Sequence, residues 1–174
     1  RVGEHVRVAV LWLDERTLQS VLEEVGVSET PRKVAAIHRL SPLQAGMLYE
    51  SLKDRGSGAY IVQPVLVLRG QLDVAAMAQA WRDVIAHFPA LRSAFAYRSC
   101  AEPVQVVSSE LPFELACEDY RDLPAAAQTE RLEQLLLAER RRGFAFDRAP
   151  LMSATLIRLS DQDHRLSWPH HHIL

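Results

Sequence analysis

The residues best suited to do chemistry sit together near the end of the chain, where His170, His171 and His172 follow one another ahead of Ile173-Leu174. An imidazole with an unperturbed pKa of about 6.5 can take a proton from an attacking nucleophile near neutrality. The run from Arg165 to Leu174 reads as a strand, and side chains alternate across a strand. His170 and His172 then share one face with Trp168 and His164, and His171 points to the other, unless Pro169 breaks the run. A purification-tag remnant fits poorly, because the three histidines are followed by apolar residues. A metal site could use His170 and His172, but no HExxH or Cys/His spacing supplies further ligands. Buried rings hydrogen-bonded to backbone would account for one or two of the three. A single catalytic imidazole is the fourth reading. Cys100 and Cys117 form neither a CxxC pair nor a disulfide framework. They read as reduced, partly buried thiols, and a nucleophilic role would need a His brought close by the fold.

The elements that must position these rings follow from periodicity and punctuation. Val6 to Leu13 reads as a short strand, and residues 15–25 as a helix with Leu18, Val21, Leu22 and Val25 on one face and Gly26 as its stop. Residues 27–36 look like a linker. Helix 41–53 opens on an N-cap Ser41, Pro42 in first position and Gln44 completing a capping box, with Leu43, Met47, Leu48 and Leu52 as its core stripe. Tyr60 to Arg69 is a strand in which Pro64 marks an edge or bulge. Asp73 caps helix 74–87, whose apolar face is Val74, Met77, Ala78, Trp81, Ile85 and Phe88. Ser93 to Tyr97 and Pro103 to Val107 form a hairpin, with a further short strand over 112–117. Helix 124–142 turns Leu132, Leu135 and Leu136 inward, ends on Arg140-Arg141-Arg142 to suit its dipole, and stops at Gly143. Strands follow at 150–159 and 165–174. Interleaved helices and strands predict an α/β or α+β class with a mixed sheet.

At 174 residues the chain suffices for one domain with a sizeable core. Hydrophobic residues at 48% and charged residues at 24% describe a globular protein rather than a disordered one. A formal net charge of −2 offers no electrostatic footprint for nucleic acid or membranes. No apolar run approaches the ~20 residues that span a bilayer, and a cytoplasmic location is expected. The start at Arg1 and the apolar, strand-like ending predict a natural chain that continues beyond both ends.

Several stretches, in this order, resemble nonribosomal peptide synthetase condensation domains. Leu40-Ser41-Pro42-Leu43-Gln44-Ala45-Gly46-Met47-Leu48-Tyr49 is similar to their opening helix. Gly70-Gln71-Leu72-Asp73 matches their G-x-LD turn, and His87-Phe88-Pro89-Ala90-Leu91-Arg92-Ser93-Ala94-Phe95 their RHxxLRTxF stretch. Gly143 to Leu151 resembles the segment leading into the strand before the histidine motif. His171-His172-Ile173-Leu174 looks like the first four residues of HHxxxDG. The resemblance covers about residues 36–174.

It implies a chloramphenicol acetyltransferase-like fold of two lobes with a tunnel between them. Residues 36–174 would form the N-terminal lobe and residues 1–35 an upstream linker or the tail of a preceding module. The second histidine of the motif, His172, would be catalytic. His171, His170 and Arg92 would be structural at the active site, with Arg92 pairing with a carboxylate inside the fold. Ser41, Gln44 and Gly46 are tunnel candidates. The implied reaction is amide formation between a donor aminoacyl or peptidyl thioester and an acceptor aminoacyl group. Both would ride on phosphopantetheine arms of carrier proteins, with no metal or bound cofactor. Partners would be donor and acceptor carriers, an adenylation domain, the C-terminal lobe and, because Ala45-Gly46-Met47 follows Gln44 without an Arg, an upstream epimerisation domain supplying a D-configured donor. Two other readings stand beside this one. One is a coenzyme A-dependent acyltransferase of the same superfamily, and the other is a non-catalytic docking fragment, the chain alone being expected to be inactive.

Overall fold

The structure is a computed structural model that describes residues 13–27, 33–54 and 58–174. The strand expected at 6–13 lies outside them, apart from Leu13, which is not in a strand.

Helix α1 (Glu15–Glu24) begins where the Asp14 carboxylate accepts from the Thr17 N–H at 2.7 Å. It ends in a Schellman turn, with Val27 N–H on the Leu22 carbonyl and Gly26 N–H on the Glu23 carbonyl. Gly26 sits at φ 74°, a left-handed conformation that costs other residues a steric clash. The segment read as a linker contains a strand, β1 (Val34–Arg39), which pairs antiparallel with β5 (Val104–Ser108); β5 also pairs with β4 (Ser93–Ala96). The hairpin of β4 and β5 is the one expected. Alternation along β4 divides two cores. Ala94 and Ala96 face α1 with Val21, Leu22, Ile37, Val104 and Val106. Phe95, at 0% exposure, faces α2 (Pro42–Lys53) with Met47, Leu48, Phe146, Leu151 and Ile173.

The second layer system is a sheet in the order β3-β8-β7-β6, formed by Val65–Arg69, Asp163–Ser167, Thr155–Arg158 and Ala116–Asp119. Only the β6–β7 pair is parallel, which makes the sheet mixed as expected. The register puts Leu66, Leu156 and Leu166 on one face, where Met77, Ala78 and Trp81 of α3 (Val74–His87) pack. Val65, Thr155 and Ser167 occupy the other, under α4 (Ala125–Arg142).

Three long strands expected from the sequence are shorter, and proline accounts for two of the breaks. The run 60–69 divides at Gln63-Pro64 into β2 (Ile61–Val62) and β3. The run 165–174 divides at Trp168-Pro169 into β8 and β9 (His170–His171). A proline has no N–H for the ladder. In the run 150–159 only β7 is regular, and the strand expected at 112–117 starts later, as β6 over Ala116–Asp119, with residues 112–115 irregular. Several stripe residues lie outside the core: Leu43 is 70% exposed, Phe88 53% and Val74 41%. On α4 the leucines 132, 135 and 136 are half-buried, and the buried residue of that stripe is Glu139.

Candidate active site

The histidine segment forms a two-stranded ribbon with β2 and an isolated bridge to Met152 on its other side. On one side β9 pairs with β2, Ile61 opposite His171 and Val62 opposite His170. On the other, His171 N–H donates to the Leu151 carbonyl at 2.9 Å, and Ser153 N–H donates to the Pro169 carbonyl at 3.0 Å. His172 N–H donates to the Tyr60 carbonyl at 2.8 Å, so the backbone is held through the last of the three rings.

The strand alternation expected over 165–174 is interrupted at Trp168-Pro169 and β9 ends at His171, with His172 in the turn that follows, yet the three rings still differ in burial. His171 is 3% exposed and packs edge-on against Phe146, with ring centroids 4.8 Å apart. Ile173 N–H donates to its Nδ1 at 3.2 Å, so that nitrogen carries the lone pair. The ring proton then sits on Nε2 and is donated to Ser51 Oγ, also at 3.2 Å. Burial pushes this imidazole down to about 4, and the adjacent His172 and His170 add to the shift. His171 is therefore neutral at physiological pH. His170 is half-buried, stacked on Trp168 at 4.5 Å, with Nδ1 3.2 Å from the Trp168 carbonyl. His172 is the exposed member of the three.

Of the other expected site residues, two join this region and two do not. Ser41 and Gln44 form the capping box that starts α2, with Ser41 N–H on Gln44 Oε1 at 3.0 Å and Gln44 N–H on Ser41 Oγ at 3.2 Å. Gln44 Nε2 continues to the Ile173 carbonyl at 3.2 Å, tying the start of α2 to the residue after His172. Gly46 is exposed, and a side chain there would meet nothing within 4 Å. Arg92 is buried at 8% exposure, yet among the described residues no carboxylate pairs with it. Its guanidinium donates to the carbonyls of Ile85 (2.6 Å), Ser108 (2.9 Å) and Ala86. These are orphan acceptors at the end of α3 and the end of β5, which an Arg can cap without a counter-ion.

Sequence reasoning missed Ser51, Tyr60, Phe146 and Glu139. A serine, a tyrosine or a phenylalanine has no spacing signal that marks it as a partner of a distant ring. Glu139 did have one, because it falls on the inward positions 132, 135, 136 and 139 of α4. The thiols stand apart from the rings. Cys100 is half-buried, bonds the Ala96 carbonyl and is pushed up by burial; Cys117 is exposed, against expectation. Among the described residues no cluster of His, Cys, Asp or Glu could hold a metal ion, and no helix is long and apolar enough to cross a membrane.

Comparison with known proteins places this arrangement. Residues 34–174 match the family described as Condensation domain. One of the linear gramicidin synthase proteins of Brevibacillus parabrevis is 38% identical over 162 residues, 93% of this chain and 2% of that protein. Bacitracin synthase 1 of Bacillus licheniformis is 30% identical over 142 residues, 82% of this chain and 3% of that protein. Among solved structures, the tallysomycin biosynthesis protein TlmII superposes with a TM-score of 0.66 at 27% identity, covering 78% of this chain and 33% of that one. The first condensation domain of the calcium-dependent antibiotic synthetase, in complex with a substrate analogue, gives 0.69 at 21% identity, covering 78% and 32%. The chain thus spans a few percent of these curated relatives and about a third of these solved chains. By the match over residues 34–174 and by its chloramphenicol acetyltransferase-like fold, the chain belongs to the condensation-domain family of nonribosomal peptide synthetases.

Proposed function

We propose that this chain supplies the histidine-bearing N-terminal lobe, residues 36–174, of a domain that forms amide bonds between carrier-bound substrates. Residues 1–35 join it to an upstream unit, and α1 within them packs on the first sheet. The observation that carries the proposal is the contrast within the triplet. His171 is buried, neutral and committed to Ser51 and Ile173, whereas His172 is exposed on a backbone anchored at Tyr60.

In this reading a donor acyl group arrives as a thioester on the phosphopantetheine arm of one carrier protein. The amine of an aminoacyl group on a second carrier attacks the thioester carbonyl. The C–N bond forms, the C–S bond breaks, and the donor arm leaves as its thiol. His172 takes the proton that the nitrogen gives up and returns it to the departing sulfur. Thioesters are already activated, so holding two tethered substrates in line supplies much of the rate. The absence of an Arg after Gln44 supports a D-configured donor and an epimerisation domain upstream; an adenylation domain would load the acceptor carrier. Neither a metal nor a bound cofactor enters these steps, and a cytoplasmic location accords with substrates made and loaded there. The test is amide formation between two loaded carriers by the complete domain, with and without His172→Ala. Wild-type turnover in the variant removes His172 from the reaction.

A further inference from the structure

The structure places one carboxylate where neither packing nor charge pairing asks for it. Glu139 is 5% exposed on the inner face of α4. Its Oε1 accepts from Thr155 Oγ1 at 2.6 Å, and its Oε2 accepts from Ser167 Oγ at 2.6 Å and from Gln63 Nε2 at 3.0 Å. Gln63 Nε2 also donates to the Leu136 carbonyl at 3.0 Å. Thr155 and Ser167 are themselves buried, at 6% and 0% exposure. No Lys, Arg or His forms an ion pair with Glu139 among the described residues. An isolated buried carboxylate is costly to desolvate, and an apolar residue at 139 would join helix to sheet without that cost only if Thr155, Ser167 and Gln63 were apolar too. A fully satisfied buried polar cluster instead fixes one geometry.

What it fixes is the point where two strands change sheets together. Val65 pairs with Ser167 in the four-stranded sheet, and Val62 pairs with His170 in the next ribbon. Between them lie Gln63-Pro64 and Trp168-Pro169, joined by Trp168 N–H on the Pro64 carbonyl at 3.0 Å. Glu139 holds the last residue before the break on one strand, Ser167, and the first residue of the break on the other, Gln63. From Ser167 the path to the rings is short: Pro169 is fully buried, and Trp168 packs edge-on against Trp81 and at a tilt against His170.

We propose that Glu139 is a positioning residue for the histidine segment, clamping Ser167 and Gln63 so that the strand leaves the sheet at the place that sets His172. The proposal rests on the amide-forming reading above. Its test uses the complete domain carrying Glu139→Leu and Glu139→Gln, with Ser167→Ala as a smaller cut through the same clamp. Four quantities are measured: kcat, KM for the acceptor carrier, melting temperature and the ¹H–¹⁵N signals of the histidine rings. Expected for Glu139→Leu are a kcat lower by about 10-fold or more, an unchanged KM, a melting temperature lowered by the orphaned Thr155, Ser167 and Gln63 donors, and displaced ring signals. Glu139→Gln keeps one acceptor and should retain part of the activity. Should Glu139→Leu fail to fold, Ser167→Ala is expected to lower kcat with the melting temperature kept. Wild-type kcat in a folded Glu139→Leu overturns the proposal, as does a loss of kcat that only follows a loss of melting temperature with the ring signals in place. If the wild-type domain forms no amide, the functional reading fails instead. The ring signals then still decide the clamp: unmoved in Glu139→Leu, they overturn it.

Discussion

His171 and His172 are neighbours in sequence with opposite environments, and each environment yields an expectation. Replacing His172 by Ala in the complete domain should lower amide formation by about 10²-fold, the usual scale for a positioned proton acceptor, and leave the melting temperature unchanged because the ring is exposed. His171→Ala should act on stability. It strips Ser51 of a donor, frees the Ile173 N–H and leaves a hole beside Phe146, together costing about 2–3 kcal/mol, read as a lower denaturation midpoint. His171 also gives the fold a pH dependence of known sign. Its folded pKa of about 4 lies below the unfolded value of about 6.5, so the unfolded chain binds the proton first. Its contribution is whole above about pH 6.5 and is lost as pH falls towards 4. The melting temperature should drop across that window, and less so in a folded His171→Phe variant. Equal slopes in the two proteins would contradict the assignment. The sequence set His171 apart from its neighbours by strand alternation, but the strand ends at His171 and the exposure of His172 comes from the turn that follows. The partners that decide the chemistry of His171 were not legible there, since Ser51 lies 120 residues away and only the fold brings it in.

At the scale of elements, local rules located what is local. The Ser41–Gln44 box, the Asp73 cap, Gly26 and Gly143 each act within a few residues of themselves, and all stand where the sequence puts them. Strand β1 was missed because its pattern of Val34, Ala35, Ala36 and Ile37 is weak, and its evident stabiliser is the distant β5. Helix α1 shows the same dependence on distant partners. Its Glu24 carboxylate accepts from the N–H groups of Tyr97, Arg98 and Ser99 and from the Ser99 hydroxyl, and these hydrogen bonds hold the carboxyl below its usual range even though burial alone would raise it. Glu24→Ala should therefore free α1 from the β4–β5 hairpin, at a cost of about 2 kcal/mol from orphaned donors. Limited trypsin digestion checks this at Arg16, within α1: faster cleavage there, with the rest of the domain resistant, is the expected outcome. A protected Arg16 would mean that Val21 and Leu22 hold the helix without the carboxylate.

At the scale of the whole molecule, one side of the chain is unusually apolar for a surface. Among the described residues strand β3 is an edge of its sheet, and Leu66 and Val67 on it are 47% and 55% exposed. A groove of about 630 Å³ runs alongside, lined by Leu66, Leu68, Trp81, Val84, Phe88 and Trp168. An unpaired apolar edge is a template for another strand, and a contiguous apolar patch favours association. The 174-residue chain alone should therefore associate in a concentration-dependent manner, measurable by sedimentation. Val67→Lys places a charge on the edge strand at an exposed position and should shift the distribution towards monomer without altering the circular dichroism spectrum. The same chain should form no amide between loaded carriers even as a monomer. On the proposed reading, one lobe by itself does not align two tethered substrates, and the positioning contribution is lost with His172 still in place. The two measurements separate two ideas. A wild-type chain that stays monomeric at high concentration would remove the apolar edge as a contact surface. A Val67→Lys monomer that condenses two carriers would show that these residues hold a complete site, and would favour a small freestanding acyltransferase over one lobe of a larger domain.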